Sequence, residues 1–576
     1  MTVEGGLPTR VDVVVAGSGA AGLTAALAAA AGGASVVLVE RASQLGGTTA
    51  LSGGRVWIPC NHLPEDDGDT PEAARAYLRG LFSDRYPQMT EAFIANGPAM
   101  LRFVEEHSAH RFVACPTYPD YHPSLPGARL GGRAMDAALI DLTKLTPLTG
   151  AILVPPGYLP LTHAEWERWR YPQRFDWALL QARQREGLRS NGVSLVAGLL
   201  DGAVRAGVQV LTGTRLTGVR LGPDGAVQAA DLQREREGKG EGGPGHGGSA
   251  TVAATSVILA TGGFDWDEAL RAQLPPPLRA TGAPPTNTGD GLRIAEAAGA
   301  ALDNTGEGWW MPMLSIPGET LDHKPFYRSL IRERALPRQI VVNAAGQRFV
   351  AEAQPYNDFG KAMNHRDPHG RYPNAIAYMV FDEGFRRRYP LPGLRPDGPG
   401  GSGGTVPRPE GVRADPMVAA GPPDGSIPDW MACAGSLAEL AGRIGVDAAG
   451  LEGTVRRWNQ ACAAGSDPEF GRGGNAYERY GGDPEVHPNP TLGPIDQPPY
   501  YAVQVLSGTI GTKGGPVTDA DGVVLTATGE RIAGLYAAGN AAAFWTADGY
   551  PAPGATLGVA MTMGYLAGRH AAARQP

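Results

Sequence analysis

The stretch VDVVVAGSGAAGLTAALAAAAGGASVVLVE (11–40) leaves the chain little choice of fold. Its valine-rich start (11–16) reads as a buried strand, its alanine-rich middle (20–31) as a helix, and ASVVLVE (34–40) as a second strand, together one βαβ unit. The turn between the first strand and the helix is GSGAAG (17–22), a G-x-G-x-x-G pattern. The three glycines answer three separate demands. Gly17 permits the tight turn, Gly19 lets the backbone approach a pyrophosphate, and Gly22 lets helix and strand pack closely. The helix start offers free N–H groups to the phosphates, and Glu40, closing the second strand, can accept ribose hydroxyls. A second match, GEGGPG (240–245), has neither a strand before it nor a helix after it and is an accident of composition.

Within ten residues of Glu40 the chain carries another glycine cluster, GGTTALSGG (46–54). A nicotinamide cofactor does not require one there. The longer diphosphate and ring system of FAD do, and the small residues and hydroxyls supply a second cradle. ILATGGF (258–264), NTGDGLRIA (287–295) and GLYAAGN (534–540) add to the same pattern. The expected cofactor is therefore FAD. Its candidate contacts are Gly17, Ser18, Gly19, Ala20, Ala21, Gly22, Glu40, Arg41, Gly46, Gly47, Thr48, Thr49, Ser52, Gly53, Gly54, Arg215, Ala260, Thr261, Gly262, Asn287, Asp290, Gly539, Asn540, Ala555 and Leu557.

At 576 residues the chain has material for several domains of roughly 150 residues each. With 42% apolar and 19% charged residues the composition is that of an ordinary globular protein. A formal charge of −8 argues against nucleic acid or an anionic membrane as the main partner. Cys60, Cys115, Cys433 and Cys462 are far apart and form no C-x-x-C, which suits a reducing compartment and offers no metal site. The N-terminus has no basic run before its apolar stretch, against a secretory signal. No apolar run approaches the ~20 residues that span a membrane. The expected location is the bacterial cytoplasm.

Helical patterns occupy 71–82 and 90–107, a helix running into strands covers 185–219, and 251–263 reads as one strand ending on glycines. From about 276 to 487 the style changes to proline-rich connections and scattered short strands; after 500 the strand-and-glycine style returns. The expected class is α/β: a Rossmann-type FAD-binding domain (1–275 and 488–576) interrupted by an α+β substrate domain (276–487). Segments 235–249 and 396–408 are low in complexity and are expected to be flexible loops.

The FAD cradle with GGTTALSGGRVWIP (46–59) resembles the flavoprotein family of fumarate reductases, succinate dehydrogenase and the 3-ketosteroid dehydrogenases. The fumarate branch carries a histidine-rich segment where this chain has LSGTIGTKGGPVTD (506–519), which is similar instead to the ketosteroid branch. Three further elements resemble that branch. YPDYHP (118–123) implies that Tyr121 assists the base, with Tyr118 the other candidate; RFVAEAQPYNDFGKAM (348–363) implies Tyr356 as the base. YPAPG (550–554) implies that the Tyr550 hydroxyl and the Gly554 N–H bind the ketone oxygen. The chemistry is coherent. A ketone losing hydrogens from its neighbouring carbons develops enolate character, which a Tyr O–H and a backbone N–H would stabilise. A phenolate, with a reference pKa of about 10, is a strong base once a second hydroxyl helps it ionise.

The resemblance implies FAD-dependent 1,2-desaturation of a 3-ketosteroid, with a separate electron acceptor. The alternatives are the same chemistry on a smaller, cyclohexanone-type ketone, or a fumarate- or urocanate-type reductase. The chain departs from the family in AEA (351–353), in Ala552, and across 133–195. In that last stretch Trp166, Trp169, Phe175 and Trp177 have three readings beside plain packing: a cover on the substrate mouth, a peripheral membrane contact through 160–180, or a dimer contact. Tyr500 and Tyr501 are expected to pack on the FAD domain, and His122 to lie in a solvated loop.

Overall fold

In a computed structural model the described residues are 6–63, 68–82, 85–235, 246–394 and 427–574. The first sheet has six strands in the spatial order Val523–Leu525, Arg531–Ala537, Ser256–Leu259, Val13–Ala16, Val36–Val39 and Gln209–Leu211. All neighbours run parallel except the edge strand Val523–Leu525. Val13–Ala16, Val36–Val39 and Ser256–Leu259 are buried on both faces, which is why their sequences are continuous apolar runs without alternation.

Helix Ala20–Ala31 crosses over this sheet and packs along the C-terminal helix Ala555–Ala573. Small residues set the spacing: a Cβ on Gly564 would lie 2.4 Å from the Ala21 carbonyl oxygen, and one on Gly568 2.2 Å from that of Ala25. The two ends of the chain are thereby locked together, and the turn 550–554 is delivered to the mouth of the nucleotide fold.

The second sheet is mainly antiparallel and seven-stranded, with Gly308–Leu321, Tyr500–Thr512 and Ala377–Asp382 at its centre and Gln339–Asn343 at one edge. Where the sequence suggested scattered short strands, residues 308–321 form one strand of 14 residues, because Trp309, Trp310, Met311 and Met313 are all buried against neighbours remote in sequence. Tyr500 and Tyr501 do not pack on the first sheet. They pair with Asp382 and Phe381, and Tyr501 stacks on Phe381 at 5.5 Å and donates to Glu383 at 2.6 Å. The chain re-enters the first sheet at Val523.

The stretch 251–263 divides into two strands. His246–Ala253 pairs with Val227–Glu235 in a separate three-stranded sheet, and Ser256–Leu259 joins the parallel sheet. Residues 246–249, expected as loop, thus belong to a strand; the rest of that low-complexity segment from 236, and all of 396–408, lie outside the described residues. The stretch 160–185 folds into helices His163–Trp169 and Trp177–Arg185, the first opened by a capping box between Thr162 and Glu165. Phe175 is buried with Leu159, Leu161 and Leu180, and Trp166, Trp169 and Trp177 pack around them. Arg170 donates to the Gly482 carbonyl at 3.1 Å and Arg174 to Glu485 at 2.8 Å, which ties the segment to residues 482–485. Among the described residues no helix is long and apolar enough to cross a membrane.

Candidate active site

The glycine turn shows which of its residues serve the fold and which serve a ligand. Gly17 has φ +107°, and a Cβ there would lie 2.2 Å from the Ala260 carbonyl oxygen; a Cβ on Gly22 would lie 2.0 Å from the Gly17 oxygen. Both must be glycine for packing alone. Gly19 is extended, and a Cβ there would meet nothing nearer than Thr49 Oγ1 at 3.4 Å, an ordinary contact. The fold does not require glycine at 19, whereas a pyrophosphate lying over the helix start does. Ser18 donates through N and Oγ to Glu40 Oε2 (3.0 and 2.7 Å) and its Oγ accepts from Gly46 N (2.8 Å), so the two glycine clusters share one network. Burial raises the pKa of Glu40, and these hydrogen bonds oppose the rise.

The remaining cofactor candidates surround this turn. Ala20 N donates to Thr49 Oγ1 at 2.9 Å, and Asn287 Nδ2 to Thr48 Oγ1 at 3.2 Å. Gly46, Gly47 and Gly54 hold positive φ, and Ser52 Oγ accepts from Gly54 N beside Gly53. Thr261 Oγ1 accepts from Gly291 N, while Gly262 (φ +75°) faces the Asn287 amide. Gly539 sits against Ala21, Asn540 accepts from Trp309 Nε1 at 3.1 Å, and Ala555 and Leu557 open the C-terminal helix. A cavity of about 610 Å³ runs beside Glu40, Arg41, Gly47, Leu211 and Thr212. Arg215 and Asp290 lie a layer back and form a two-point ion pair with each other (2.8 and 2.7 Å). The residues present fit FAD.

The structure also brings Tyr121, Tyr356 and Tyr550 together. Each ring meets the other two edge to face, with centroids 5.2–5.5 Å apart. All three are buried, with exposures of 1%, 6% and 4%. Tyr356 begins helix Tyr356–Met363 and donates to Tyr550 Oη at 2.8 Å; Thr556 Oγ1 donates to the same oxygen at 2.9 Å. With both acceptor sites so occupied, the proton of Tyr550 is left for another partner. Gly554 precedes the first residue of the C-terminal helix with φ +92°, and a Cβ there would lie 2.7 Å from the Arg55 backbone. A cavity of about 270 Å³ opens beside Tyr550, lined also by Leu81, His122, Leu125, Asp358 and Lys361. His122 is half-buried there, 3.6 Å from Asp358, and not in a solvated loop.

Burial pushes Tyr356 and Tyr121 well above the usual tyrosine value. For Tyr356 the Tyr550 hydroxyl adds to the rise and the Tyr121 hydroxyl opposes it. Tyr121 Oη has no partner at full hydrogen-bond geometry, so it is a buried donor still to be satisfied. Tyr118 stands apart, stacked on His163 and Tyr480.

Several supporting groups were not singled out as site residues in the sequence. Lys513, inside GTKGG, is fully buried and donates to the Ala547 and Gly549 carbonyls at 2.6 and 2.8 Å, pinning the turn before Tyr550; burial lowers its pKa to about 7. The Pro551 carbonyl accepts from Tyr77 Oη and from Tyr121 N at 3.0 Å, which ties two of the tyrosines to one atom. Asp120 accepts from Trp57 Nε1 and Arg133, both at 2.8 Å, and fixes the YPDY corner. Glu352, the middle of AEA, is fully buried between Arg348 (2.7 Å) and Arg472 (3.0 Å), and Arg334 holds the Glu352 and Gln354 carbonyls ahead of Tyr356. The methyl of Ala552 is fully buried in the main core, which accounts for alanine there.

A parallel nucleotide sheet whose glycine turn is shaped for a ligand, with a buried hydroxyl cluster at its mouth, defines a flavin-dependent oxidoreductase. A family model described as an FAD binding domain matches residues 12–557. The 4-oxocyclohexanecarboxylate 2-dehydrogenase of Sinomonas cyclohexanicum is 41% identical over 97% of this chain and 92% of that protein. The 3-oxosteroid 1-dehydrogenase of Mycobacterium tuberculosis is 37% identical over 99% of both. The crystal structure of a 3-ketosteroid Δ1-dehydrogenase from Sterolibacterium denitrificans superposes with a TM-score of 0.85 at 34% identity, covering 98% of this chain and all of the other. A flavocytochrome c3 fumarate reductase (TM-score 0.62, 20% identity) shares the fold. The chain belongs to the FAD-dependent family of 3-oxosteroid 1-dehydrogenases and related cyclic-ketone dehydrogenases.

Proposed function

We propose that the protein removes one hydrogen from the carbon next to the ketone and one from the carbon beyond it in a cyclic 3-oxo substrate, of the 3-ketosteroid type, leaving a double bond between those two carbons. The observation that carries this reading is the pair of hydrogen bonds into Tyr550 Oη, which frees its proton to point at a ketone oxygen. The Gly554 N–H, a few residues on, is the second donor. Together they stabilise the oxygen as enolate character develops. Tyr356 takes the α-proton as phenolate. Tyr121, buried and without a full hydrogen bond, donates to that phenolate and offsets part of the cost of ionising it. FAD held by the glycine turn, Glu40 and the 46–54 cluster would supply the oxidant for the second hydrogen and its electron pair. Burial of the three rings keeps water out. Completing the cycle calls for a separate electron acceptor.

The flavin-loaded protein should be yellow and bleach anaerobically on mixing with androst-4-ene-3,17-dione. Tyr356→Phe should abolish the bleaching and retain the flavin. Persistent colour across a panel of steroid and cyclohexanone ketones would overturn the proposal. A second reading, a smaller cyclic ketone, draws support from the 41% identity to a dehydrogenase of an oxocyclohexane acid.

A further inference from the structure

Arg332 differs from the other deeply buried arginines. Arg133 pairs with Asp69 and Asp120, Arg348 with Glu352 and Asp467, and Arg472 with Glu352. Arg334 donates to carbonyl oxygens of Leu330, Ile331, Glu352 and Gln354. Arg332 is only 8% exposed, yet its Nε, Nη1 and Nη2 are all buried without a hydrogen-bond partner among the described residues. A guanidinium has five N–H donors, and leaving a buried charge uncompensated costs several kcal/mol. What Arg332 has instead is aromatic faces, its guanidinium carbon lying 3.2 Å from the Trp166 ring centroid and 5.6 Å from that of Tyr480, and an electrostatic attraction to Glu333, next in the chain, whose Oε2 accepts from Ile331 N at 3.0 Å. Stacking engages the face of the fork and leaves its edge donors open. Burial and the neighbouring Arg170 lower its pKa to about 10, which still leaves a cation at neutral pH. The nearby Glu167 is committed elsewhere, accepting from Tyr480 and from Thr117 (2.7 Å) and lying 3.4 Å from His163.

The cation is connected to the ketone end. Tyr118 stacks on Tyr480 at 4.9 Å, and its hydroxyl interacts electrostatically with Arg332 on one side and with Tyr121, Tyr356 and Tyr550 on the other. Tyr118, three residues before Tyr121, thus stacks on Tyr480, whose ring and that of Trp166 both face Arg332, and Trp166 comes from the segment 160–180.

We propose that Arg332 is the seat for a carboxylate that the substrate carries away from its ketone, so that the ligand class is a carboxylated cyclic ketone. The proposal rests on the reading of the tyrosine cluster as a ketone site. Two sources share this chemistry: a small ring such as an oxocyclohexanecarboxylate, and a steroid bearing an acidic side chain.

The test uses flavin-loaded protein and anaerobic bleaching with 4-oxocyclohexanecarboxylate, 3-oxochol-4-en-24-oate, the methyl ester of each, and androst-4-ene-3,17-dione. The acid of one source should show a KM about 30-fold or more below that of its ester. Arg332→Gln should raise that KM by a similar factor and leave the ester unchanged, and Arg332→Lys should recover part of the loss. In parallel, the thermal shift given by cyclohexanecarboxylate or cholanoate, which carry no ketone, should disappear in Arg332→Gln. Equal loss for acids and esters, or a parent enzyme indifferent to the carboxylate, would overturn the seat and leave the dehydrogenase reading standing. Arg332-dependent binding of the ketone-free acids with no bleaching by any ketone would do the reverse.

Discussion

Replacing Tyr550 by Phe removes one oxygen and keeps the ring. The ring is held by Trp309 (4.6 Å), Tyr121 (5.2 Å) and Tyr356 (5.5 Å), so the packing should survive. Two hydrogen bonds are lost, from Tyr356 and from Thr556. At about 1 kcal/mol net for each, the folded state should lose about 2 kcal/mol, a modest fall in a denaturation midpoint. The catalytic loss should be larger. Removing one preformed donor to a developing oxyanion costs about 10²- to 10³-fold in kcat, or about 3–4 kcal/mol. Anaerobic stopped-flow bleaching separates the two effects: the rate at saturating ketone should fall by that factor, with flavin content unchanged. Thr556→Val acts on catalysis through the same oxygen, so adding it to Tyr550→Phe should slow bleaching no further. A saturating rate within about tenfold of the parent would refute the assignment of Tyr550 as the ketone donor.

Other perturbations test separate parts of the structure. Gly19→Ala should weaken FAD binding with little change in apoprotein stability, whereas Gly22→Ala, with a Cβ 2.0 Å from the Gly17 oxygen, should destabilise the apoprotein itself; thermal melts with and without flavin distinguish them. Glu352→Gln leaves Arg472 without its buried counter-charge and Arg348 with Asp467 as its remaining buried one, and should cost about 3–5 kcal/mol in urea unfolding. Because burial raises the pKa of Tyr356, its phenolate fraction increases with pH, and kcat/KM should climb through the alkaline range in the parent. His110 is buried with a pKa lowered by that burial to about 3, so the unfolded chain binds its proton first. Stability should therefore fall as pH drops below about 6.5, and His110→Leu should blunt that acid sensitivity.

What the sequence determined by itself was local. The βαβ pattern, the glycine turn and Glu40 lie within thirty residues, and the dihedral and contact demands that select those residue types act over the same span. The helices 71–82 and 90–107 were legible for the same reason and appear as Pro71–Leu81 and Pro87–His107. The tyrosines were legible through short turn-forming elements whose proline and glycine content is itself a backbone constraint. Their meeting was not, since Tyr121, Tyr356 and Tyr550 converge only once the C-terminal helix locks onto the first helix and the second sheet presents Tyr356. The long strand 308–321 and the place of Tyr501 also depended on partners far along the chain. Charge shows the division most sharply. Glu352 and Lys513 read in sequence as single charges between small residues, and Arg332 as the first of three charges in IRERA. Only the tertiary structure decides that Glu352 is paired twice, that Lys513 caps two carbonyls, and that Arg332 is buried with none of its nitrogens bonded. The energy of a buried charge is set by what faces it, and what faces it comes from elsewhere in the chain.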